Sequence, residues 1–205
     1  LITTCPGINS LLLFALLAPT NCIEPVSRCV QEAANMTIQS VLARSGQTQF
    51  FDSSRLPEGA GLYIHRNVLN KADVKALAKA CGVEIDKDSY HEMHVTGIYS
   101  KTAPTTTIVA DLKNTGAFPV KWSIFGKDTK HLVLEVTSDK MVSRNELFVA
   151  SGCKSDFASY KPHVTVVSPF KGDKSLLSRA NKALAAIAVQ PLLILGPEIF
   201  NELIE

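Results

Sequence analysis

The tripeptide His-Val-Thr occurs twice in the chain, at residues 94–96 and 163–165, and each copy ends a succession of strand, helix and strand. The first succession opens with an alternating strand pattern at residues 61–66. Residues 70–82 follow as a helix, with a capping asparagine, apolar side chains at i, i+3, i+4 and i+7, and a terminal glycine. This order of elements constrains the fold more than any single residue does.

The second half of the chain repeats the order. Residues 131–137 and 162–167 form strands, and between them Ser143 and Glu146 form a capping box that opens a helix to about Ser151. Two units of the same order predict two lobes related by a pseudo-twofold axis, each supplying one His-Val-Thr strand to a shared groove. Further strands are expected at residues 105–113, 118–125 and 192–195.

The paired tripeptides also predict a chemistry. Side chains alternate across a strand, so His94 and Thr96 point to one face and Val95 points to the core, and residues 163–165 do likewise. Two facing imidazoles can serve as general acid and base near neutral pH, because a free imidazole titrates at about 6.5. Threonine hydroxyls can bind the nonbridging oxygens of a phosphodiester without a metal. The pattern therefore favours phosphate chemistry at these two strands.

Composition narrows the partners. Lysine and arginine total 21 against 19 acidic residues, a net charge of +2, so the chain lacks the basic surface that long duplex nucleic acid requires. A nucleic-acid ligand must then be recognised in a local pocket. The most apolar run, residues 11–18, is shorter than the roughly 20 residues of a membrane-spanning helix. No membrane association is expected.

Five cysteines without a C-x-x-C pair argue against a zinc knuckle or a disulfide framework, and they favour a reducing cytoplasm. His91 and His94 lie at i, i+3 but lack a third ligand nearby, so no metal site and no cofactor are predicted. Residues 59–205 are expected to form the catalytic domain. Residues 1–58 are expected to form an N-terminal appendage and linker, with a possible contact for a protein partner.

The two tripeptides, with Tyr160-Lys-Pro ahead of His163, resemble the paired His-x-Thr motifs of the 2H phosphoesterase superfamily. The resemblance covers roughly residues 59–205. It implies an α+β bilobed domain, with two antiparallel sheets around a central cleft and helices outside. It also implies metal-independent cleavage of phosphodiesters or 2′,3′-cyclic phosphates, in which Tyr160 contacts substrate and four residues are catalytic: His94, Thr96, His163 and Thr165.

Three further segments are similar to phage anti-CBASS nucleases, which degrade cyclic oligonucleotide signals: Gly-Leu-Tyr63-Ile, the single Trp122, and Gly-Pro-Glu198-Ile-Phe. This similarity implies that Tyr63 and Trp122 flank the nucleobases and that Glu198 lies at the catalytic site. An aromatic face gains about 1–3 kcal/mol per stacked base. Instead of flanking a nucleobase, Trp122 and Tyr63 could each pack in the core or on a sheet face.

Two residues near the first motif carry expectations of their own. Gly97 follows Thr96 where an apolar residue is common in such strands, so it either widens the groove or marks a β-bulge. His65 shares a strand face with Tyr63 and is expected to border the cleft.

The resemblance implies hydrolysis of the 3′–5′ bonds of cyclic di- or trinucleotides, in the cytoplasm of an infected bacterial host if the chain is phage-encoded. One histidine would deprotonate the ribose 2′-OH and the other would protonate the departing 5′-oxygen. One alternative is a 2′,3′-cyclic phosphodiesterase or exonuclease that acts on RNA ends. Another is a structural or virion-associated protein in which the 2H domain is a passenger.

Overall fold

The computed structural model describes residues 50–51, 60–155, 157, 159–172 and 174–203. The predictions for residues 1–58 therefore lie outside the described residues, apart from a two-residue strand. Within the described ranges, no helix combines the length and the apolar character that crossing a membrane requires.

The described residues form eight strands and four helices, most of them where the sequence predicts them. In chain order these elements are β1 (Phe50–Phe51), β2 (Gly61–Val68), α1 (Lys71–Ala80), α2 (Lys87–His91), β3 (His94–Ser100), β4 (Ile108–Val109), β5 (Thr115–Phe125), β6 (His131–Thr137), α3 (Asp139–Ala150), β7 (His163–Val167), α4 (Lys174–Ala186) and β8 (Leu193–Leu203).

Six antiparallel strands form one closed barrel in the order β2-β3-β7-β6-β5-β8, while β1 and β4 pair separately. The α+β class with antiparallel strands is confirmed. The predicted division into two sheets is not what the pairing shows: Val95 of β3 pairs with Val164 of β7, and residues 115–117 of β5 pair with residues 193–195 of β8. These two contacts join the strands into a single sheet.

The helices cover the outer face of this barrel. The larger core cluster combines Leu77 of α1 and Leu184 of α4 with Val95, Leu134 and Val164 of the strands, all buried. A six-stranded barrel is too narrow to enclose helices, because even eight strands leave room only for side chains. The strand residues between these core positions consequently turn inward. The histidine and the threonine of each His-Val-Thr motif lie on that inner face.

Helix α3 begins earlier than the sequence predicts. Its N-cap is Ser138 and its first residue is Asp139, one turn before the expected start at Ser143. Met141 and Phe148, seven positions apart, are both buried against the strands. Because Met141 already packs in the core, the helix begins before the predicted capping box. Ser143 therefore lies inside the helix, on its exposed face.

The two ends of the predicted β-region also differ from expectation. Of residues 105–113 only Ile108–Val109 form a strand, and they pair with β1. Strand β8 continues beyond the predicted residues 192–195 to Leu203. A register shift between the Val68–Leu195 and Arg66–Glu198 pairs takes up Gly196 and Pro197, so the proline interrupts the ladder without ending the strand.

Candidate active site

The two His-Val-Thr motifs lie side by side across the β3–β7 junction. Their central residues, Val95 and Val164, pair directly and are fully buried. In the antiparallel register this places Thr165 opposite His94 and His163 opposite Thr96. The four polar side chains share the inner face and are half-buried. The structure thus brings together two imidazoles and two hydroxyls from segments far apart in the chain.

Both motif histidines have the same hydrogen-bond arrangement. Nδ1 of His94 lies 2.6 Å from the carbonyl oxygen of Glu92, and Nδ1 of His163 lies 2.7 Å from that of Lys161. A carbonyl oxygen only accepts, so each Nδ1 carries the hydrogen and donates it. In the neutral ring, Nε2 is then the nitrogen that can take up a proton.

Tyr63 reaches this pair from strand β2. Its hydroxyl donates to Nε2 of His94 at 2.7 Å, and its oxygen lies 3.3 Å from Oγ1 of Thr96. Burial raises the pKa of Tyr63, and the hydrogen bond with Thr96 offsets this only in part. The phenol therefore remains protonated and acts as a donor at neutral pH. Tyr63 lies at the predicted site, with its hydroxyl on the first motif.

His163 has a drier environment. The ring of Phe125 packs edge-on against it, with 4.7 Å between the ring centroids. Burial lowers the pKa of His163 below its ordinary value; the hydrogen bond to Lys161 opposes this, and nearby His94 lowers the pKa further. Both causes disfavour the charged imidazolium. His163 is thus a neutral ring at pH 7, able to accept a proton.

A β-bulge follows the first motif. This confirms the β-bulge that the sequence offered as one of two interpretations of Gly97. Ile64 pairs with Ile98 and His65 pairs with Thr96, so Gly97 is the extra residue. A Cβ on Gly97 would lie 3.3 Å from the Phe148 ring, and the absence of a side chain lets helix α3 pack closely here. The bulge leaves backbone carbonyls that need other partners.

Two side chains satisfy those carbonyls. The Tyr160 hydroxyl donates to the carbonyl oxygen of Thr96 at 2.7 Å, and Nδ2 of Asn145 donates to that of Gly97 at 2.8 Å. Burial raises the pKa of Tyr160 strongly, so its hydroxyl stays protonated. The Tyr160 hydroxyl is thus engaged by the backbone and positions the strand that carries Thr96. The substrate contact predicted for Tyr160 stays a prediction.

Glu198 lies on the outer face of β8, paired across the strands with Arg66 of β2. Arg144 of α3 holds its carboxylate through Nε to Oε1 at 2.7 Å and Nη2 to Oε2 at 2.6 Å. Nη2 of Arg66 lies 3.3 Å from Oε1, and the Asp111 N–H donates to Oε2 at 2.8 Å. The carboxylate is 2% exposed and bound by two guanidinium groups, on the strand face opposite the motif histidines. The catalytic role predicted for Glu198 stays a prediction.

Asp111 completes this network. Its Oδ2 accepts from Nη2 of Arg66 at 2.7 Å, and Nζ of Lys140 lies 3.2 Å from the same oxygen. Burial raises the pKa of Asp111, but the Arg66 charge and the hydrogen bonds from Lys140 and the Lys113 N–H outweigh it, so the pKa lies below its ordinary value. The resulting stabilisation is present above the pKa of the unfolded carboxyl and is lost as the pH falls through the folded value.

The structure places Trp122 in the core, which is the alternative to a position beside a nucleobase that the sequence left open. Trp122 pairs with Leu134, which pairs with Val164, and all three side chains point to the outer face. Asn181 of α4 fixes this part of β5 by two hydrogen bonds to the Trp122 backbone, at 2.7 and 2.9 Å. The residue is 1% exposed, so the indole has no free face on which a base could stack.

The tryptophan emission of the protein is therefore expected not to respond to ligand. Trp122 is the only tryptophan in the chain and lies on the side of β5 away from the motifs. We expect blue-shifted emission, weak quenching by acrylamide, and no change on addition of a cyclic dinucleotide, measured by steady-state fluorescence. Substrate-dependent quenching would contradict this placement and restore the stacking role.

Three further side chains of the inner face lie beside the two motifs, and one of them was predicted. His65 borders it as expected, stacked on Tyr63 with ring centroids 5.0 Å apart. Phe125 and Glu135, which the sequence reasoning missed, flank His163 from β5 and β6. The alternation along residues 121–125 was the available signal, because Trp122 and Ile124 share the apolar face, which leaves Ser123 and Phe125 on the other face.

Among the described residues there is no group of three or more histidine, cysteine, aspartate or glutamate side chains arranged to hold a metal ion. The inner face groups two proton-accepting imidazoles, a phenol and two threonine hydroxyls. Such a set can move protons on both sides of a phosphorus centre and donate hydrogen bonds to its oxygens.

Comparison with known proteins bears on this site. No curated protein matches the chain. A sequence model of the family described as Anti-CBASS protein Acb1 matches residues 60–205, a segment that contains all of the barrel strands and both His-Val-Thr motifs. The match spans well over half of the chain, and the chain therefore belongs to the Anti-CBASS protein Acb1 family.

Proposed function

We propose that this chain is a phosphodiesterase that hydrolyses the 3′–5′ bonds of cyclic oligonucleotide signals by histidine acid–base catalysis. The family description supports a role against CBASS defence, which fits a phage protein that removes a cyclic nucleotide signal. The finer statement, a metal-independent phosphodiesterase of the 2H type, rests on the inner-face geometry.

One observation carries the proposal: the shared orientation of the motif histidines. Each has its Nδ1–H held by the carbonyl of the residue two positions earlier, and each has a threonine of the other motif opposite it. This arrangement suits a phosphorus atom bound between the two rings. The hydroxyls of Thr96 and Thr165 would donate to its nonbridging oxygens and stabilise the charge of the transition state.

The proposed reaction has two balanced steps. In the first, one imidazole takes the proton of the ribose 2′-OH, the 2′-oxygen bonds to phosphorus, the bond from phosphorus to the 5′-oxygen breaks, and the second histidine protonates that oxygen. In the second, the histidines exchange roles: one takes a proton from water, the water oxygen bonds to phosphorus, the bond from phosphorus to the 2′-oxygen breaks, and the other histidine protonates that oxygen. Tyr63, whose hydroxyl is hydrogen-bonded to Nε2 of His94, would give way to the reacting oxygen.

The test is incubation of the protein with 3′,3′-cyclic dinucleotides in excess EDTA, with products separated by chromatography. We expect cleavage to linear and then shorter products, and a bell-shaped pH profile from two imidazoles. No cleavage, or cleavage only after metal is added, would contradict the mechanism. A panel of cyclic dinucleotides, cyclic trinucleotides and RNA with 2′,3′-cyclic phosphate ends separates this function from that of an RNA-end phosphodiesterase.

A further inference from the structure

The two motif strands begin with the same tripeptide, His-Val-Thr. Differences beside these tripeptides therefore come mainly from the neighbouring strands. Beside Thr96, strand β2 places His65. At the equivalent position beside Thr165, strand β6 places Val133, and its next inward residue is Glu135. The β2 side is therefore lined by an imidazole, and the β6 side by an apolar residue and a carboxylate.

The β6 side suits an uncharged group. The Glu135 carboxylate accepts from the Ser123 hydroxyl, and Nζ of Lys121 lies 3.5 Å from it. Phe125 packs next to it against His163. An anion on this side would lie close to the Glu135 carboxylate. Because like charges repel at close range, binding of an anion here is disfavoured. A nucleoside would meet an aromatic ring instead.

The β2 side suits an anion. His65 is stacked on Tyr63 and lies edge-on to His94, with 5.1 Å between the ring centroids. Its Nδ1 lies 3.4 Å from Nδ2 of Asn201 on β8, and no hydrogen bond is made by its Nε2 within the part of the chain that the structure describes. The stacking and the Asn201 contact hold the ring in one orientation, with Nε2 on the side away from β8.

We propose that His65 binds a second phosphate of the substrate, one that is not cleaved, through its Nε2. This rests on the proposed function and specifies its substrate class: rings with two or more phosphodiesters. In a cyclic dinucleotide, a phosphate held between the motif histidines leaves the other phosphate to one side of the ring. Strand β2 offers the second phosphate an imidazole nitrogen, whereas strand β6 offers a carboxylate, so that phosphate lies towards β2 and a nucleoside towards Phe125.

The experiment measures binding in an inactive full-length background, His163→Gln, by calorimetry. Two ligands are compared: a 3′,3′-cyclic dinucleotide and the linear dinucleoside monophosphate with the same nucleosides and a single phosphate. Adding His65→Gln is expected to raise Kd about tenfold for the ring and to leave Kd for the linear ligand unchanged. His91→Gln, at an exposed residue of α2, is the matched control and should alter neither.

His65→Phe keeps a ring stacked on Tyr63 but removes the donor, and it should give the same selective loss. Equal weakening of both ligands by both variants would show that His65 acts through packing or on the scissile phosphate, and would overturn the inference. Unchanged Kd for the ring would overturn it as well. If the parent chain does not bind the cyclic dinucleotide, the proposed function fails and the inference fails with it.

Discussion

Replacing His94 or His163 by glutamine is expected to lower the rate of cyclic dinucleotide cleavage by about 10²- to 10⁴-fold in each case. Glutamine is polar and of similar size, but it neither accepts nor releases a proton near neutral pH. The expected loss follows from the shared geometry, in which each Nδ1–H is held by a backbone carbonyl and each Nε2 faces the reacting groups. Initial rates in EDTA, measured by chromatography, give the effect.

The control is His91→Gln, which removes an exposed imidazole outside the barrel and should retain the parent rate. The double variant should be little worse than either single variant, because two groups that act in one proton-transfer sequence are not additive. Circular dichroism establishes that the variants are folded. A single variant with near-parental activity would show that the acid–base assignment is wrong.

Replacing Glu198 by glutamine is expected to lower the free energy of unfolding by about 3–5 kcal/mol. The substitution keeps the shape but leaves the buried Arg66 and the partly buried Arg144 without their shared carboxylate. Removal of one member of a buried ion pair leaves an uncompensated charge, which is the large term. Urea unfolding, with the midpoint and slope fitted together, measures the change.

Glu202→Gln is the matched control, since this glutamate lies on the same strand but is exposed. Its effect on unfolding should be within a few tenths of a kcal/mol. If Glu198→Gln left stability unchanged and abolished cleavage in a folded protein, the carboxylate would have the catalytic role that the family resemblance implied, and the structural role assigned to it would be wrong.

Local patterns predicted the elements that depend on local physics. The apolar spacing before Gly82 predicted α1, which ends there because Gly82 adopts a φ of +73°, a conformation that favours glycine. The alternation around each motif predicted which face its histidine and threonine share. For α3 the capping box at Ser143 predicted too late a start, because the helix already begins after Ser138, where the buried Met141 packs in its first turn.

The surroundings of Trp122 and Glu198 depend on contacts between distant segments. Trp122 could stack on a ligand or pack in the core, and the choice was made by its pairing with Leu134 and its contact with Asn181. Glu198 could be catalytic or structural, and it is held by Arg144, 54 positions earlier. The sequence does not show that Arg144 is the partner of Glu198, because many lysines and arginines could have paired with this carboxylate. It likewise does not show which residues contact Trp122.

The sequence by itself determined that two strands each present an imidazole beside a hydroxyl, because side-chain alternation is a property of a single strand. It did not determine that these strands are neighbours, or what stands on either side of them. The Val95–Val164 pairing, His65 on one side and Glu135 on the other are consequences of barrel closure. Strand order is set by long-range packing and hydrogen bonding, so the asymmetry of the site was decided only by the tertiary structure.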